Sequence, residues 1–223
     1  ALSVKKLSVG YDGKPLLSPV TFTVTTDEKI GLLGFNGVGK STLIKTILGL
    51  IPAISGHSKF SPSAKVNYFS QDLVWDDASQ TPLEIMEGKF PNLTQKVLRT
   101  KLAKCGLDSA NAMKPMHELS GGEQTKVKLS LMEFKPSNFL IMDEPTASLD
   151  PISEVQLYEQ IRSALSQKTA LMITHRLGAT AFCTKILVLS GGKIVEDGTF
   201  NELLERGGIY AEMYNEQRQW YNQ

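Results

Sequence analysis

Residues 34–41 read Gly-Phe-Asn-Gly-Val-Gly-Lys-Ser and fit the spacing G-x-x-x-x-G-K-[ST]. That spacing suits a phosphate. Glycines let the backbone curl so that successive N–H groups point inward, into a nest for anionic oxygens. On this reading Gly34, Phe35, Asn36, Gly37, Val38 and Gly39 form the cradle, and Thr42 adds a first-turn contact. Lys40 supplies a mobile cation for the β- and γ-phosphates, and the Ser41 hydroxyl supplies an oxygen for Mg²⁺. A Gly-rich turn that binds nothing is the rival reading, and the flanking elements argue against it. Two further groups could do chemistry. Asp143-Glu144 ends the apolar run Phe139–Met142, which puts two carboxylates together: Asp143 for Mg²⁺, directly or through water, and Glu144 to polarise an attacking water. Ser120-Gly121-Gly122 opens an apolar-periodic stretch, where amides and a helix pole offer a second anion site. The rival there is an ordinary capped helix with Glu123 in its first turn.

The positioning elements follow from periodicity. Lys29 to Leu33 reads as a short buried strand and Thr42 to Leu48 as a helix, so the helix pole faces whatever the loop holds. Leu2–Val9 alternates, Tyr11-Asp12-Gly13-Lys14 turns, and Val20, Phe22 and Val24 alternate again, which predicts an antiparallel hairpin. Gly49–Pro62 is rich in Gly, Pro and Ser and reads as loop. Lys65–Ser70 reads as a strand ending at Gln71. From Thr81 to Cys105 the pattern is helical, which predicts a small helical subdomain over about 72–118, inserted in one domain spanning 1–223. Later come helices to Phe134 and over Pro151–Leu165, strands over Asn138–Met142 and Thr169–Ile173 (the latter ending in Thr174-His175), a hairpin around Gly191-Gly192, and two closing helices. Strand–helix alternation predicts an α/β fold with a mostly parallel core sheet and ligands at its carboxyl edge.

Bulk numbers exclude several classes. With 223 residues, 41% hydrophobic and 21% charged, the chain is an ordinary globular one. A net charge of +1 gives no strong nucleic-acid signal. No apolar run is long enough to span a bilayer, so direct membrane insertion is not expected. Residues 1–10 lack a signal-peptide layout, and the start at Ala1 fits either a trimmed initiator or a piece of a longer protein. Cys105 and Cys183 stand far apart, and neither they nor the histidines show metal-ligand spacing. The expected location is cytoplasmic, or peripheral at the cytoplasmic face of a membrane.

Leu119-Ser-Gly-Gly-Glu-Gln124 closely matches the signature of the ATP-binding cassette (ABC) ATPases, and Phe139-Leu-Ile-Met-Asp-Glu144 matches their Walker B strand. With the loop at Gly34 the motifs stand in the family's order, and the resemblance covers nearly the whole chain. It implies a P-loop ATPase fold with an antiparallel β subdomain and a helical one. It also implies ATP and Mg²⁺ as ligands, and hydrolysis to ADP and phosphate. By position Tyr11 resembles the aromatic that stacks on adenine. Gln71 resembles the glutamine that meets Mg²⁺ and water, and His175 the histidine that touches the γ-phosphate. Ser148-Leu149-Asp150 resembles the family's D-loop. The resemblance implies a second copy as partner, in an ATP-dependent head-to-tail dimer, and a membrane-domain partner if the chain is a transport motor. One departure is Thr125-Lys126, where the family commonly has Gln-Arg. The front part resembles the soluble, translation-associated F subfamily, whereas the stretch from Thr146 resembles exporter ATPase domains. That suggests a mosaic, natural or engineered, joined near Asp143-Glu144. A soluble F-type ATPase acting on ribosomes and a barely active scaffold are the alternatives to a transport motor.

Overall fold

The computed structural model describes residues 1–146, 149 and 151–221, with side chains for all of these except 151–153, 156 and 219–221. The chain divides into two compact units, one of residues 1–68, 137–144 and 167–223, the other of 69–136 and 145–166.

The first unit holds two sheets. Strands β1 (Leu2–Tyr11) and β2 (Lys14–Val24) form the expected hairpin, joined at Asp12-Gly13. Both joining residues have positive φ (50° and 75°), the conformation of a two-residue turn that matches strand twist. Strand β4 (Ser55–Phe60) adds to the other side of β1, antiparallel, giving the order β2-β1-β4. This corrects the expectation of loop over Gly49–Pro62. SGHSKF lacks apolar alternation because this edge strand is largely exposed, and pairing with Leu2–Ser8 of β1 holds it.

The larger sheet has the order β5-β6-β7-β3-β8-β9, built from β3 (Lys29–Gly34), β5 (Val66–Phe69), β6 (Phe139–Asp143), β7 (Thr169–Ile173), β8 (Lys185–Ser190) and β9 (Lys193–Gly198). Pairs β6·β7, β7·β3 and β3·β8 are parallel, and β9 closes the edge antiparallel. β6 and β7 are buried at every residue, as expected of strands covered on both faces. Helix α1 (Lys40–Ile47) packs Leu43, Ile44 and Ile47 into a core with Leu32, Ile141, Ile173 and the hairpin residues Val4, Leu17 and Phe22. Helices α6 (Phe200–Arg206) and α7 (Ile209–Tyr221) build a second core around Tyr210, whose hydroxyl bonds Thr180 Oγ1 at 2.7 Å.

The second unit is helical: α2 (Pro82–Lys89), α3 (Gln95–Lys104), α4 (Gly121–Phe134) and α5 (Pro151–Ala164). Its core gathers Leu83, Met86, Leu98, Leu102, Met116, Leu119 and Val127. Among the described residues, no helix is long and apolar enough to cross a membrane.

Candidate functional site

Strand β3 ends at Gly34, where a Cβ would lie 2.5 Å from the Leu189 carbonyl oxygen of β8, so only glycine fits the turn. The chain then curls through Gly37 (φ 80°) to Gly39 (φ 99°), the N-cap of α1. Both are left-handed positions that favour glycine. A Cβ at Gly39 would also meet Leu16 Cβ and Leu17 Cγ at 3.2 Å, which places the β1–β2 hairpin against the loop. Tyr11 stands at the hairpin's tip end, half exposed, paired with Lys14.

The start of α1 differs from those of α2, α4 and α6, and it shares the lack of a cap with α3, whose Thr94 makes no side-chain cap hydrogen bond. α2, α4 and α6 each open with a reciprocal box, Thr81–Glu84, Ser120–Glu123 and Thr199–Glu202. α1 has neither a side-chain cap nor an acidic residue in its first turn. First-turn amides have no intrahelical acceptor, so the pole of α1 is left to an anion. Lys40 is buried, and its ammonium donates to the carbonyls of Gly34 (2.7 Å) and Phe35 (3.1 Å). Burial lowers its pKa, while Glu144 and Asp143 pull it back up. Phe35 is exposed.

The carboxyl edge of the same sheet supplies the rest. Ser41 Oγ donates to Asp143 Oδ1 at 3.0 Å, bringing loop and β6 together. Asp143 is buried, and desolvation raises its pKa, against the Ser41 hydrogen bond. Glu144 follows with φ 47°, a conformation rare for a residue with a side chain. Two contacts hold it there. Its N–H donates to Ile173 O of β7 at 3.1 Å, and its Oε2 lies 2.5 Å from His175 Nδ1. The His175 N–H also reaches Oε2, at 3.3 Å. Thus Lys40, Ser41, Asp143, Glu144 and His175, far apart in sequence, converge where three parallel strands end.

Sequence reasoning missed Gln217 of α7. Its Nε2 donates to His175 O (2.5 Å) and its Oε1 accepts from Leu177 N (3.0 Å), so one amide brackets the His175 turn. No local signal marks it, because its partners lie 40 and 42 residues away.

In the second unit, Ser120, Gly121 and Gly122 open α4. Ser120 Oγ accepts from Glu123 N (3.3 Å), and Glu123 Oε2 accepts from Ser120 N (2.8 Å). The capped-helix reading is therefore realised, while Gly121 and Gly122 keep first-turn amides without an intrahelical acceptor. A Cβ at Gly122 would lie 2.6 Å from Leu149 Cδ2, which explains glycine there. Gln71 is exposed, just past the end of β5. Of the D-loop positions, Ser148 and Asp150 lie outside the described residues, and Leu149 is buried.

Among the described residues no cluster of three or more His, Cys, Asp or Glu could hold a metal alone. Mg²⁺ does not need one. It is commonly held by one or two protein oxygens plus phosphate and water, and the Ser41–Asp143 pair is an all-oxygen set of that kind.

A parallel sheet whose glycine loop runs into an uncapped helix, beside a strand-end aspartate, defines a P-loop nucleotide-binding protein. The profile described as "ABC transporter" matches residues 17–147, more than half of the chain, and the chain belongs to that family, the ABC ATPases, which hydrolyse ATP. It is 34% identical over 199 residues to the putative ATP-binding protein YdiF of Bacillus subtilis, an alignment covering 87% of this chain and 30% of that one. It is 30% identical over 222 residues to the mesentericin-Y105 transport/processing ATP-binding protein MesD of Leuconostoc mesenteroides, covering 91% and 31%. It is 31% identical over 242 residues to the ATP-dependent lipid A-core flippase of Burkholderia pseudomallei, covering 98% and 40%. The chain thus spans about a third of the length of the curated relatives it matches. The fold is shared with a bacterial Atm1-family ABC exporter solved with ATP bound, at TM-score 0.83 and 23% identity over 97% of this chain and 42% of that one. The transport relatives align across both the front and the back of the chain, so the comparisons give no support to a join near Asp143-Glu144 or to the F-subfamily assignment.

Proposed function

We propose that this chain binds ATP with Mg²⁺ and hydrolyses it to ADP and phosphate as the motor domain of a transporter, residues 1–223 acting as one nucleotide-binding domain with a helical subdomain over about 72–118. The observation that carries the reading is the glycine loop running into the uncapped, acid-free first turn of α1 beside a buried Lys40. An anion-ready pole with its own cation calls for a phosphate.

The residues divide the work. The amides of Gly34–Gly39 and of Lys40–Thr42 receive phosphate oxygens, and Lys40 exchanges its carbonyl partners for the β- and γ-phosphates. Ser41 and Asp143 hold Mg²⁺, which neutralises phosphate charge. Glu144 takes the proton from the attacking water through Oε1, while His175 fixes Oε2 and reaches the γ-phosphate. Gln71 meets water and metal. Tyr11 stacks on the adenine. Ser120, Gly121 and Gly122 complete the site of a second copy in a head-to-tail dimer. The transport relatives support a membrane-domain partner, which would hold the chain at the cytoplasmic face of a membrane.

The test is ATP turnover against protein concentration, with two variants. Lys40→Ala loses the cation and should lose tight ATP binding by calorimetry. Glu144→Gln should bind ATP but turn over roughly 10²–10⁴-fold more slowly, because an amide cannot accept the proton. Unchanged affinity in the first, or wild-type turnover in the second, would overturn the assignment. A wild-type protein that binds ATP but does not turn over at any concentration would leave a nucleotide-binding scaffold.

A further inference from the structure

Helix α4 carries a lysine whose surroundings the reading above does not use. Lys128 Nζ donates at 2.7 Å to each of three acceptors: Ser70 O, Ser70 Oγ and Asp72 O. It also lies 4.9 Å from the centroid of the Phe69 ring. An ammonium has three protons to donate, and here all three go to two residues, with Gln71 between them. Four residues earlier, on the same face of α4, Gln124 Oε1 accepts from Trp75 Nε1 at 2.8 Å. Gln124 in turn donates to Leu119 O at 3.0 Å. One face of α4 therefore holds residues 70–75 at two points.

We infer that Lys128 is a positioning residue that pins the loop carrying Gln71 to helix α4, so that this loop and the Ser120-Gly121-Gly122 helix start move as one piece. The inference rests on the proposed role of Gln71. Lys128 sits eight residues, or about 12 Å along the axis, from Ser120. A rigid helix carries a displacement over that span with little loss. A loop glutamine that senses nucleotide is exposed and has few contacts of its own, so its orientation depends on its neighbours. Lys128 grips both of them through backbone carbonyls, which leaves the Gln71 side chain available. Burial lowers the pKa of Lys128, and the Asp72 charge opposes this in part. A lysine merely covering apolar surface would leave its head in water; this half-buried one turns its head onto two carbonyls and a hydroxyl.

The experiment is amide hydrogen exchange on the nucleotide-free full chain, followed by a double-mutant cycle on turnover. In Lys128→Met the amides of residues 71–75 should exchange at least roughly tenfold faster, since hydrogen bonds to a charged group are lost. The amides of α2 should be unchanged, which separates loosening from unfolding. Trp75→Phe, which loses only the indole donor, should loosen the same segment by less. On turnover, Lys128→Met should lower kcat with KM little changed, and should add nothing further in a Gln71→Ala background. Unchanged exchange at 71–75 in both variants overturns the inference, as does a loss that multiplies with that of Gln71→Ala. Wild-type turnover in Gln71→Ala, with exchange still accelerated in Lys128→Met, instead overturns the role given to Gln71 and leaves the pin.

Discussion

Asp143 is a carboxylate in a place that does not favour its charge. Desolvation raises its pKa above the ordinary range, and the Ser41 hydrogen bond and the nearby Lys45 and Lys40 only partly oppose this. A folded pKa above the unfolded one means that the native state holds the proton more readily. Stability is then greatest below the ordinary carboxylate range and falls as pH rises through the raised pKa. Above that window the penalty is constant. Asn at this position keeps an oxygen for Ser41 Oγ and carries no charge. Asp143→Asn should therefore raise the melting temperature of the nucleotide-free protein at neutral pH, by about 2–4 °C for each ~1 kcal/mol gained. The gain should shrink as the pH falls through the same window, and Mg²⁺-dependent turnover should be lost. A melting temperature lowered at pH 7 would show that attraction to Lys40 and Lys45 outweighs desolvation. Glu144 stores strain of another kind, in a backbone conformation secured by β7 and His175. Strain at a residue proposed to take a proton is what a site set by function rather than by stability would show.

Elements differ in how openly the sequence announces them. The phosphate loop is legible because every glycine in it has a local reason: a positive φ at Gly37 and Gly39, and a close approach to Leu189 at Gly34. The three boxed helices are legible through Ser or Thr followed three residues later by Glu. That signal has a measurable consequence. Thr81→Ala should lose about 1 kcal/mol in urea unfolding, with ATP affinity unchanged; an equal loss of affinity would tie α2 to the nucleotide. By contrast, β4 was hidden, since an exposed edge strand needs no apolar alternation and SGHSKF offers none. The Gln217 bracket and the Lys128 pin were hidden for a different reason. Each joins a side chain to backbone groups distant in sequence, and backbone groups have no letter in a sequence. Of the candidate site, the residues of loop and strand end were legible as types. What the structure adds is their pairing: Ser41 with Asp143, and Glu144 with His175.

At the scale of the whole molecule, the two helix starts proposed as anion sites, those of α1 and α4, are of unequal kind. That of α1 is uncapped and has its own lysine. That of α4 is closed by Ser120 and Glu123, so a carboxylate already occupies part of its pole. The second is therefore a weak anion site alone and gains from a phosphate presented by something else. On the proposed reading that phosphate is the γ-phosphate on the loop of a second copy. ATP should then drive pairing, and ADP should not, because it lacks the group that α4 would meet. A net charge of +1 gives little long-range repulsion to oppose this. In the Glu144→Gln background, ATP and Mg²⁺ should convert monomer to dimer on a sizing column, and Ser120→Arg should prevent it by filling the space before the helix. Because Ser120→Arg also removes a cap worth about 1 kcal/mol, Glu123→Ala is the control. It opens the same box but leaves the space free, and should still pair, more readily if the carboxylate was opposing the phosphate. Pairing that survives Ser120→Arg would remove α4 from the interface. A dimer equally stable in ADP would mean that the γ-phosphate is not what joins the copies.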